Sequence, residues 1–224
     1  MVLAALLLAA AVAAAPPDGT YKYTIEQTST AIGSATVSVK RADVGIQVHE
    51  TQEVKLPSAS RTYAVDETLD PGSLSPRSYV GTYTQDGTPI VFRMAFDAAG
   101  MRASVDGVSG ATGVVMPSGT KSAFVVELSL MSGYLFLPAQ VSAARTSKFA
   151  AVIPSQLAAV LNRVDSNMNP TRPAGIPAQD VSLSISGGQM TYDEWYDPLT
   201  FVVHAVTFGN GVIRLSHYST EVKS

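Results

Sequence analysis

The sequence contains no cysteine among its 224 residues. This absence excludes disulfide bonds, thiolate metal sites, a cysteine nucleophile and lipid attachment at a cysteine side chain. Packing and hydrogen bonding must therefore stabilise the protein, and hydrophobic residues make up 46% of the chain. Because the composition shows no break, we expect a single β-rich domain over residues 15–224.

Charge is also scarce. Charged residues make up 15% of the sequence, the net charge is -3, and lysine and arginine are scattered rather than clustered. A protein that binds nucleic acid needs clustered cations to displace counterions from the phosphates. We therefore expect no nucleic acid partner.

Catalytic motifs are incomplete. The stretch GVSGATG, residues 107–113, lacks the last glycine of a nucleophile elbow and is interpreted as a flexible loop. The acidic pairs Asp66-Glu67 and Asp193-Glu194 place neighbouring carboxyl groups on opposite faces of a strand, so neither forms an acid and base couple. With three histidines in the chain, no Ser/His/Asp order stands out. We predict no catalytic residue, no cofactor and no metal ion, and a binding protein rather than an enzyme.

The N-terminus is an apolar run, MVLAALLLAAAVAAA, followed by Pro16-Pro17. Its length and its small residues are typical of an export signal cut before Ala15, although no lysine or arginine precedes it. We therefore predict a signal peptide over residues 1–14, export to the periplasm or the extracellular space, and no transmembrane segment in the mature chain. A buried alanine-rich helix is the alternative interpretation.

Beyond the proline pair, apolar and polar residues alternate with a period of two, which predicts antiparallel β-hairpins. The alternation fails between Met131 and Ala144, and apolar spacing behind Pro154-Ser155 suggests a helix in a stretch that also reads as a strand. Residues 167–179 predict a proline-rich loop. The predicted strands cover residues 21–27, 32–40, 46–54, 61–68, 77–84, 89–96, 101–106, 123–128, 149–153, 181–186, 189–196, 201–208 and 212–218.

A tight turn at Asp86-Gly87 fixes which side chains share one face of the sheet, and a further turn over residues 97–100 extends that face. All the facing positions are apolar, with Gly81 leaving space for the Phe92 ring. The predicted pairs are Tyr83 with Ile90, Gly81 with Phe92, Tyr79 with Met94, Phe96 with Met101, Met94 with Ala103 and Phe92 with Val105.

Two of the three histidines bracket the run HAVTFGNGVIRLSH. A turn at Asn210-Gly211 pairs His204 with His217 on an apolar face. Turns at Gly187-Gly188 and over residues 197–199 extend this row to Tyr192 and Leu183.

This row has two interpretations. The first is a polar end of the core, where tyrosine and histidine share hydrogen bonds. The second is a metal-binding patch, for which Glu194 or His49 could supply the third ligand.

The run MTYDEWYDPLTFVVHAVTFGNGVIRL, residues 190–215, resembles a pattern in exported bacterial proteins of unknown function, as does GTYKYTIEQTSTAIGSATVSVKR, residues 19–41. The resemblance implies a strongly curved antiparallel sheet related to the periplasmic lipoprotein carriers. We thus expect a mainly β fold, a half-barrel or incomplete barrel, with one or two short helices covering its concave face. The resemblance supplies no catalytic residue.

A concave apolar sheet has the shape that holds lipids, although the same residues could fill a closed core. We expect an extracytoplasmic, non-enzymatic protein that binds a lipid or another hydrophobic small molecule. The alternatives are a structural or assembly module that binds another protein of the bacterial envelope, and a hydrolase. The expected ligand-binding residues are Tyr79, Tyr83, Phe92, Met94, Phe96, Tyr192, His204 and His217.

Overall fold

The computed structural model describes residues 15–57, 59–97, 102–107, 110–127, 130–166, 168–187 and 190–220. The predicted signal peptide lies outside these residues and stays a prediction. None of the described residues belongs to a helix long and apolar enough to cross a bilayer. The strands are β1 (Gly19–Gln27), β2 (Thr30–Ala42), β3 (Gly45–Leu56), β4 (Ala59–Leu69), β5 (Pro76–Gln85), β6 (Thr88–Phe96), β7 (Arg102–Gly107), β8 (Gly110–Val115), β9 (Ala123–Val125), β10 (Lys148–Ile153), β11 (Ala158–Asp165), β12 (Val181–Gly187), β13 (Met190–Tyr196), β14 (Val203–Phe208) and β15 (Gly211–Thr220).

All fifteen strands belong to one sheet, in the order β8-β7-β6-β5-β4-β3-β2-β1-β15-β14-β13-β12-β11-β10-β9. Neighbouring strands pair antiparallel, except that β9 and β10 are parallel. Although β8 and β9 are the two end strands, β8 contacts β11 and β5 contacts β9. The sheet therefore rolls until its ends meet. The sheet is still open, because no strand pairing joins these ends over the described residues. This arrangement confirms the predicted mainly β fold with a curved antiparallel sheet.

Two short helices lie on the inner face of the sheet, α1 (Met131–Leu135) and α2 (Leu137–Ala144). Every residue of α1 is buried, and this helix contacts β2, β3, β9 and β14. Gly133 is required there because a Cβ atom would collide with the carbonyl oxygen of Val125. The expected helical cover is thus confirmed, and it lies where the alternation fails.

The helix suggested after Pro154 is wrong. A single 3₁₀ turn over Pro154–Gln156 ends at Leu157, which has a left-handed conformation with φ of 50°. Strand β11 follows at once and pairs with β10. Tertiary pairing therefore decides between the two states that this ambiguous stretch allows.

The main core lies between the two helices and the inner faces of β1–β3 and β12–β15, and buried residues of β4, β9, β10 and β11 also belong to it. Tyr21, Val37, Leu135, Val206 and Ile213 are among its fully buried side chains. Each large apolar side chain buried in this way contributes about 1.5 to 3 kcal/mol. Because α1 packs against strands from both halves of the sheet, this core holds the halves together.

The β5–β6 hairpin is confirmed in all three of its predicted pairs. The next hairpin is shifted, because Met94 pairs with Val105 and Phe96 with Ala103. The predicted pairs of Met94 with Ala103 and of Phe92 with Val105 are therefore wrong by two residues. The predicted partner of Phe96, Met101, lies outside the described residues.

The glycine-rich stretch at residues 107–113 also differs from its prediction. It was expected to be a flexible loop, but Gly110–Val115 form β8, which pairs with β7 along its whole length. Glycine weakens a strand pattern because it has no side chain to pack, so the sequence signal was low.

Candidate ligand-binding site

A second apolar cluster lies where the two ends of the rolled sheet meet, and we call it the seam cluster. One arm of the sheet, β4–β8, contributes to it together with Met116, and the other arm, β9–β11, faces them. Leu130, just before α1, closes it from inside. Its buried members are Val65, Tyr79, Phe92, Met94, Val114, Met116, Ala123, Val125, Leu130, Ala150 and Val152, and its partly buried rim is Tyr63, Tyr83, Phe96, Leu157 and Ala159.

Five of the expected ligand-binding residues belong to this cluster, namely Tyr79, Tyr83, Phe92, Met94 and Phe96. The hydroxyl oxygens of Tyr79 and Tyr83 lie 2.6 Å apart and share a hydrogen bond. The ring centroids of Tyr83 and Phe92 are 5.2 Å apart. The sequence therefore predicted the residues of one arm, but it did not predict the opposing arm.

Gly81 makes room for these rings. A Cβ atom at this position would lie 2.7 Å from the ring of Tyr83 and 2.8 Å from the ring of Tyr79. The expectation that Phe92 fills this space is therefore wrong, because the tyrosine rings on the same strand fill it.

Two buried carboxyl groups lie beneath the seam cluster on the same inner face. In the strand register Glu67 pairs with Tyr79, and Glu50 pairs with Val65. Burial raises the pKa of Glu67 well above its usual range, and the nearby Glu50 raises it further. Sequence reasoning placed Glu67 opposite Asp66 across the strand, which is confirmed, but it overlooked that Glu67 shares the apolar face.

Glu50 has a structural role, because its carboxyl oxygens accept the backbone N–H groups of Met131 and Ser132 at 3.0 and 2.7 Å. These are two of the N–H groups that the start of a helix leaves without an internal partner. Burial raises the pKa of Glu50 to about 7, although the two N–H donors act in the opposite direction. The strand residue thus fixes the start of α1.

Tyr192 does not join the expected row. It pairs with Ile185 and Phe208 instead of Leu183 and His204, and it lies in the main core. Its ring stands edge-on to that of Tyr134, with 5.0 Å between centroids. The β12–β13 turn begins one residue later than predicted, which moves the partner of Tyr192 on β12 by two residues. The β13–β14 connection covers residues 197–202 rather than 197–199, which moves its partner on β14 by four.

The predicted pairing of His204 with His217 is wrong. In β14–β15, Phe208 pairs with Gly211, so the turn is Gly209-Asn210 rather than Asn210-Gly211. A bulge in β15 then brings His217 opposite Lys22 of β1, where it is exposed. The expected inward row of histidines is therefore absent from the described part of the chain.

His204 also lies at a bulge, since β13 pairs with the residues on either side of it. Its Nδ1 atom lies 2.7 Å from the buried carboxylate of Asp180. His49 pairs with Asp66 in the same way at 2.8 Å, and Glu194 is buried in the inner face. The alternative metal patch is therefore wrong, and no three histidine, aspartate or glutamate residues within the described ranges form a metal-binding group.

The proline-rich segment before β12 packs on the outer face of the sheet. The guanidinium of Arg172 lies 4.6 Å from the ring centroid of Trp195, and Ile176 packs against the same indole. Arg214 donates a hydrogen bond to the carbonyl oxygen of Ala174 at 2.6 Å. We call these contacts, together with the pair of His204 and Asp180, the outer clamp.

Comparisons with known proteins give little. No protein-family model matches this sequence, and no curated protein matches it. A solved structure described as a DUF1089 family protein from Pseudomonas aeruginosa is similar, with a TM-score of 0.48 and 9% sequence identity, over 78% of this chain and 89% of that chain. The predicted relation to lipoprotein carriers stays a prediction.

Proposed function

We propose that the protein binds a hydrophobic ligand, such as the acyl chain of a lipid, within the seam cluster. The observation that carries this proposal is that aromatic and aliphatic side chains fill the space between two arms of a sheet that no strand pairing joins, over the described residues. An apolar ligand can replace these side-chain contacts while the hydrogen-bonded ladders within each arm stay intact.

The seam is a better binding site than the main core. Opening the main core would separate strands that pair continuously through β1 and β15, and it would displace the helix that Glu50 fixes. Opening the seam exposes apolar surface to water, which costs about 25 cal/mol of free energy for each Å². A ligand that covers this surface offsets that cost. Ligand entry therefore requires the arms to move apart.

The chemistry of the seam fits an amphiphile. Ligand sites are mostly apolar with a small number of polar groups that fix orientation. Here Phe92 and Met94 supply apolar surface, while the hydroxyl groups of Tyr79 and Tyr83 lie among them. A non-enzymatic binding role needs no more than this arrangement.

Fluorescence of the neutral hydrophobic dye N-phenyl-1-naphthylamine tests the proposal. We expect wild-type protein to bind the dye and Phe92→Ala to bind it at least tenfold more weakly, because the ring that lines the seam is lost. Tyr218→Ala is the control, since Tyr218 is a partly buried aromatic residue that stacks on Tyr21 at 4.6 Å outside the seam. An equal loss in both variants, or no binding by wild type, would contradict the proposal.

We further propose that the protein acts outside the cytoplasm. The apolar run at residues 1–14 supports this location. Expression in a bacterial host followed by fractionation and N-terminal sequencing tests it. Recovery from the periplasm or medium with a start at Ala15 is expected, and uncleaved protein in the cytoplasm would contradict it.

One observation favours a second candidate function, the binding of another protein of the envelope. Strand β8 ends the sheet, and Val115 at its end is 77% exposed. Although β8 contacts β11, no strand pairs with its outer edge in the described residues, and an unpaired edge can accept an extended segment of a partner. Native mass spectrometry of protein isolated from its own host would show a co-isolated protein that Val115→Lys removes, whereas a lipid mass retained by that variant would favour the seam.

A further inference from the structure

Glu67 lies on the inner face of β4, in a row that crosses four strands. Its neighbours in the register are Val48 on β3 and Tyr79 on β5, and Met94 follows on β6. Both Tyr79 and Met94 belong to the seam cluster. The Glu67 carboxyl group therefore borders the proposed ligand site from the inner surface of the same arm.

One oxygen of this carboxyl group is unsatisfied. Glu67 is 4% exposed, and its Oε2 atom has no hydrogen-bond partner among the described residues. A buried polar atom without a partner costs about 1 to 3 kcal/mol, so such atoms are rare in folded proteins and call for an explanation.

Comparison with Glu50 sharpens this point. Glu50 occupies the same face of the neighbouring strand, and its two oxygens receive the backbone N–H groups at the start of α1. Glu194 is also unsatisfied, but it lies on β13 in the other half of the sheet. Of these buried glutamates, Glu67 alone combines a free oxygen with cross-strand contact to the seam.

The electrostatic surroundings decide what Glu67 can recognise. Burial and the neighbouring Glu50 both disfavour the charged form and raise the pKa of Glu67 well above its usual range, and a protonated carboxyl group offers both a donor and an acceptor. A ligand carboxylate would be buried beside two acidic groups, and an ammonium group would require Glu67 to ionise in an apolar site. A hydroxyl group or an ester carbonyl can bind Glu67 without burying a ligand charge and without ionising Glu67.

We propose that Glu67 is the polar anchor of the seam site, and that the ligand is an amphiphile with an uncharged hydroxyl or ester group at the end that meets Glu67. This inference rests on the proposed function. It narrows the proposed ligands from hydrophobic molecules in general to neutral lipids, either single-chain or built on glycerol, whose polar end is a hydroxyl or an ester group.

Three amphiphiles with the same sixteen-carbon chain test the inference by displacement of N-phenyl-1-naphthylamine: 1-monopalmitoylglycerol, palmitic acid and hexadecylamine. We expect wild-type protein to prefer the monoacylglycerol at least tenfold. Glu67→Gln should keep the preference, because an amide also offers a donor and an acceptor. Glu67→Leu should lose it while still binding the dye.

The control is Glu53→Gln, which changes an exposed glutamate on the outer face of β3. It should leave all displacement curves unchanged. Thermal unfolding gives an independent readout, because Glu67→Leu removes an unsatisfied buried group and should raise the Tm by a few degrees. If Glu67 had only a structural role, Glu67→Leu would not lose the preference for the monoacylglycerol and become more stable at the same time.

The outcomes separate the two proposals. If dye binds but the three amphiphiles compete equally in wild type and Glu67→Leu, the anchor is overturned and the proposed function stands. If hexadecylamine competes best, Glu67 acts as an ionised carboxylate and the inference is overturned. If wild type binds neither dye nor amphiphile, the proposed function fails and the anchor fails with it.

Discussion

The centre of the sheet and its two arms are built from similar hairpins, yet they are held together in different ways. In the centre, β1 joins β2 and β15 through continuous ladders, and α1 packs against strands of both halves. The arms meet in the seam cluster through side-chain packing, and no strand pairing joins them in the part of the chain that the structure describes. One rolled sheet can therefore contain both a core that strand pairing closes and an apolar interface, the seam cluster, that no strand pairing closes in the described residues.

Two buried carboxyl groups on neighbouring strands, Glu50 and Glu67, differ in their hydrogen bonding, and Glu194 on β13 is unsatisfied as well. In the centre, Glu50 is fully hydrogen-bonded to the start of a helix. Towards the arm, Glu67 keeps an unsatisfied oxygen. A group whose bonding is complete stabilises the fold, whereas an incomplete one indicates a place for something else to bind.

The largest expected effect comes from breaking the centre. Glu50→Ala removes the acceptor for two buried N–H groups, so we expect the free energy of unfolding to fall by about 3 kcal/mol. Urea denaturation measures this change. Glu53→Ala, on the outer face of the same strand, should change it by less than about 0.5 kcal/mol. Equal effects of the two substitutions would show that Glu50 does not hold α1.

The next effect is a pH dependence from the same residue. The pKa of Glu50 is about 7 in the folded protein, raised by burial from 4.5. The folded state therefore binds more protons between these values, so its stability falls as the pH rises through this window. We expect a loss of about 2 kcal/mol between pH 5 and pH 8. Glu67 and Glu194, whose pKa values are also raised, act in the same direction.

Urea denaturation at the two pH values gives this measurement. Glu50→Gln does not titrate at this position, so its stability should change less over the same range. If wild type and Glu50→Gln show parallel pH profiles, the dependence comes from other groups.

Hydrogen exchange addresses the comparison directly. Because no strand pairing joins the arms over the described residues, we expect amides of β7, β8, β10 and β11 to exchange at least about tenfold faster than those of β1, β2 and β15. Addition of 1-monopalmitoylglycerol should slow exchange in the arms and leave the centre unchanged. Uniform protection across all strands would show that the sheet opens as one unit.

The smallest expected effect is on the outer clamp. His204→Ala removes the partner of the buried Asp180 carboxyl group, which should loosen residues 168–180 and lower the global stability by about 1 kcal/mol. Limited proteolysis should therefore cut this segment several-fold faster. His217→Ala is the matched control, because that side chain is exposed opposite Lys22. Equal cleavage in both variants would show that the pair does not hold the segment.

The accuracy of the sequence predictions depended on the turns. Asp86 and Gly87 both have positive φ angles, 50° and 81°, which is the two-residue turn that their sequence favours, and the β5–β6 register was predicted correctly. The run Gly209-Asn210-Gly211 allows a two-residue turn at either of two positions. The structure uses the first, so the register moved by two residues while Val206 and Ile213 stayed on the buried face.

Other features could not be predicted because they depend on contacts between distant residues. The bulges beside His204 and His217 have no signature in the sequence, and Asp180 reaches His204 from a proline-rich segment. The seam also depends on contacts between distant residues. The alternation in β5 and β6 shows that one face is apolar, but it does not show which strands cover that face. Glu67, between Val65 and Leu69 in the alternation, was the one signal within reach.

The pairing of β1 with β15 has a consequence for how the chain reaches its final form. These strands lie at opposite ends of the sequence, and their ladder joins the two halves of the sheet. The join cannot form until almost the whole chain has left the ribosome, and contacts of such long range form slowly. A chain that forms the centre of its sheet last stays unfolded for longer than one that folds from its N-terminus.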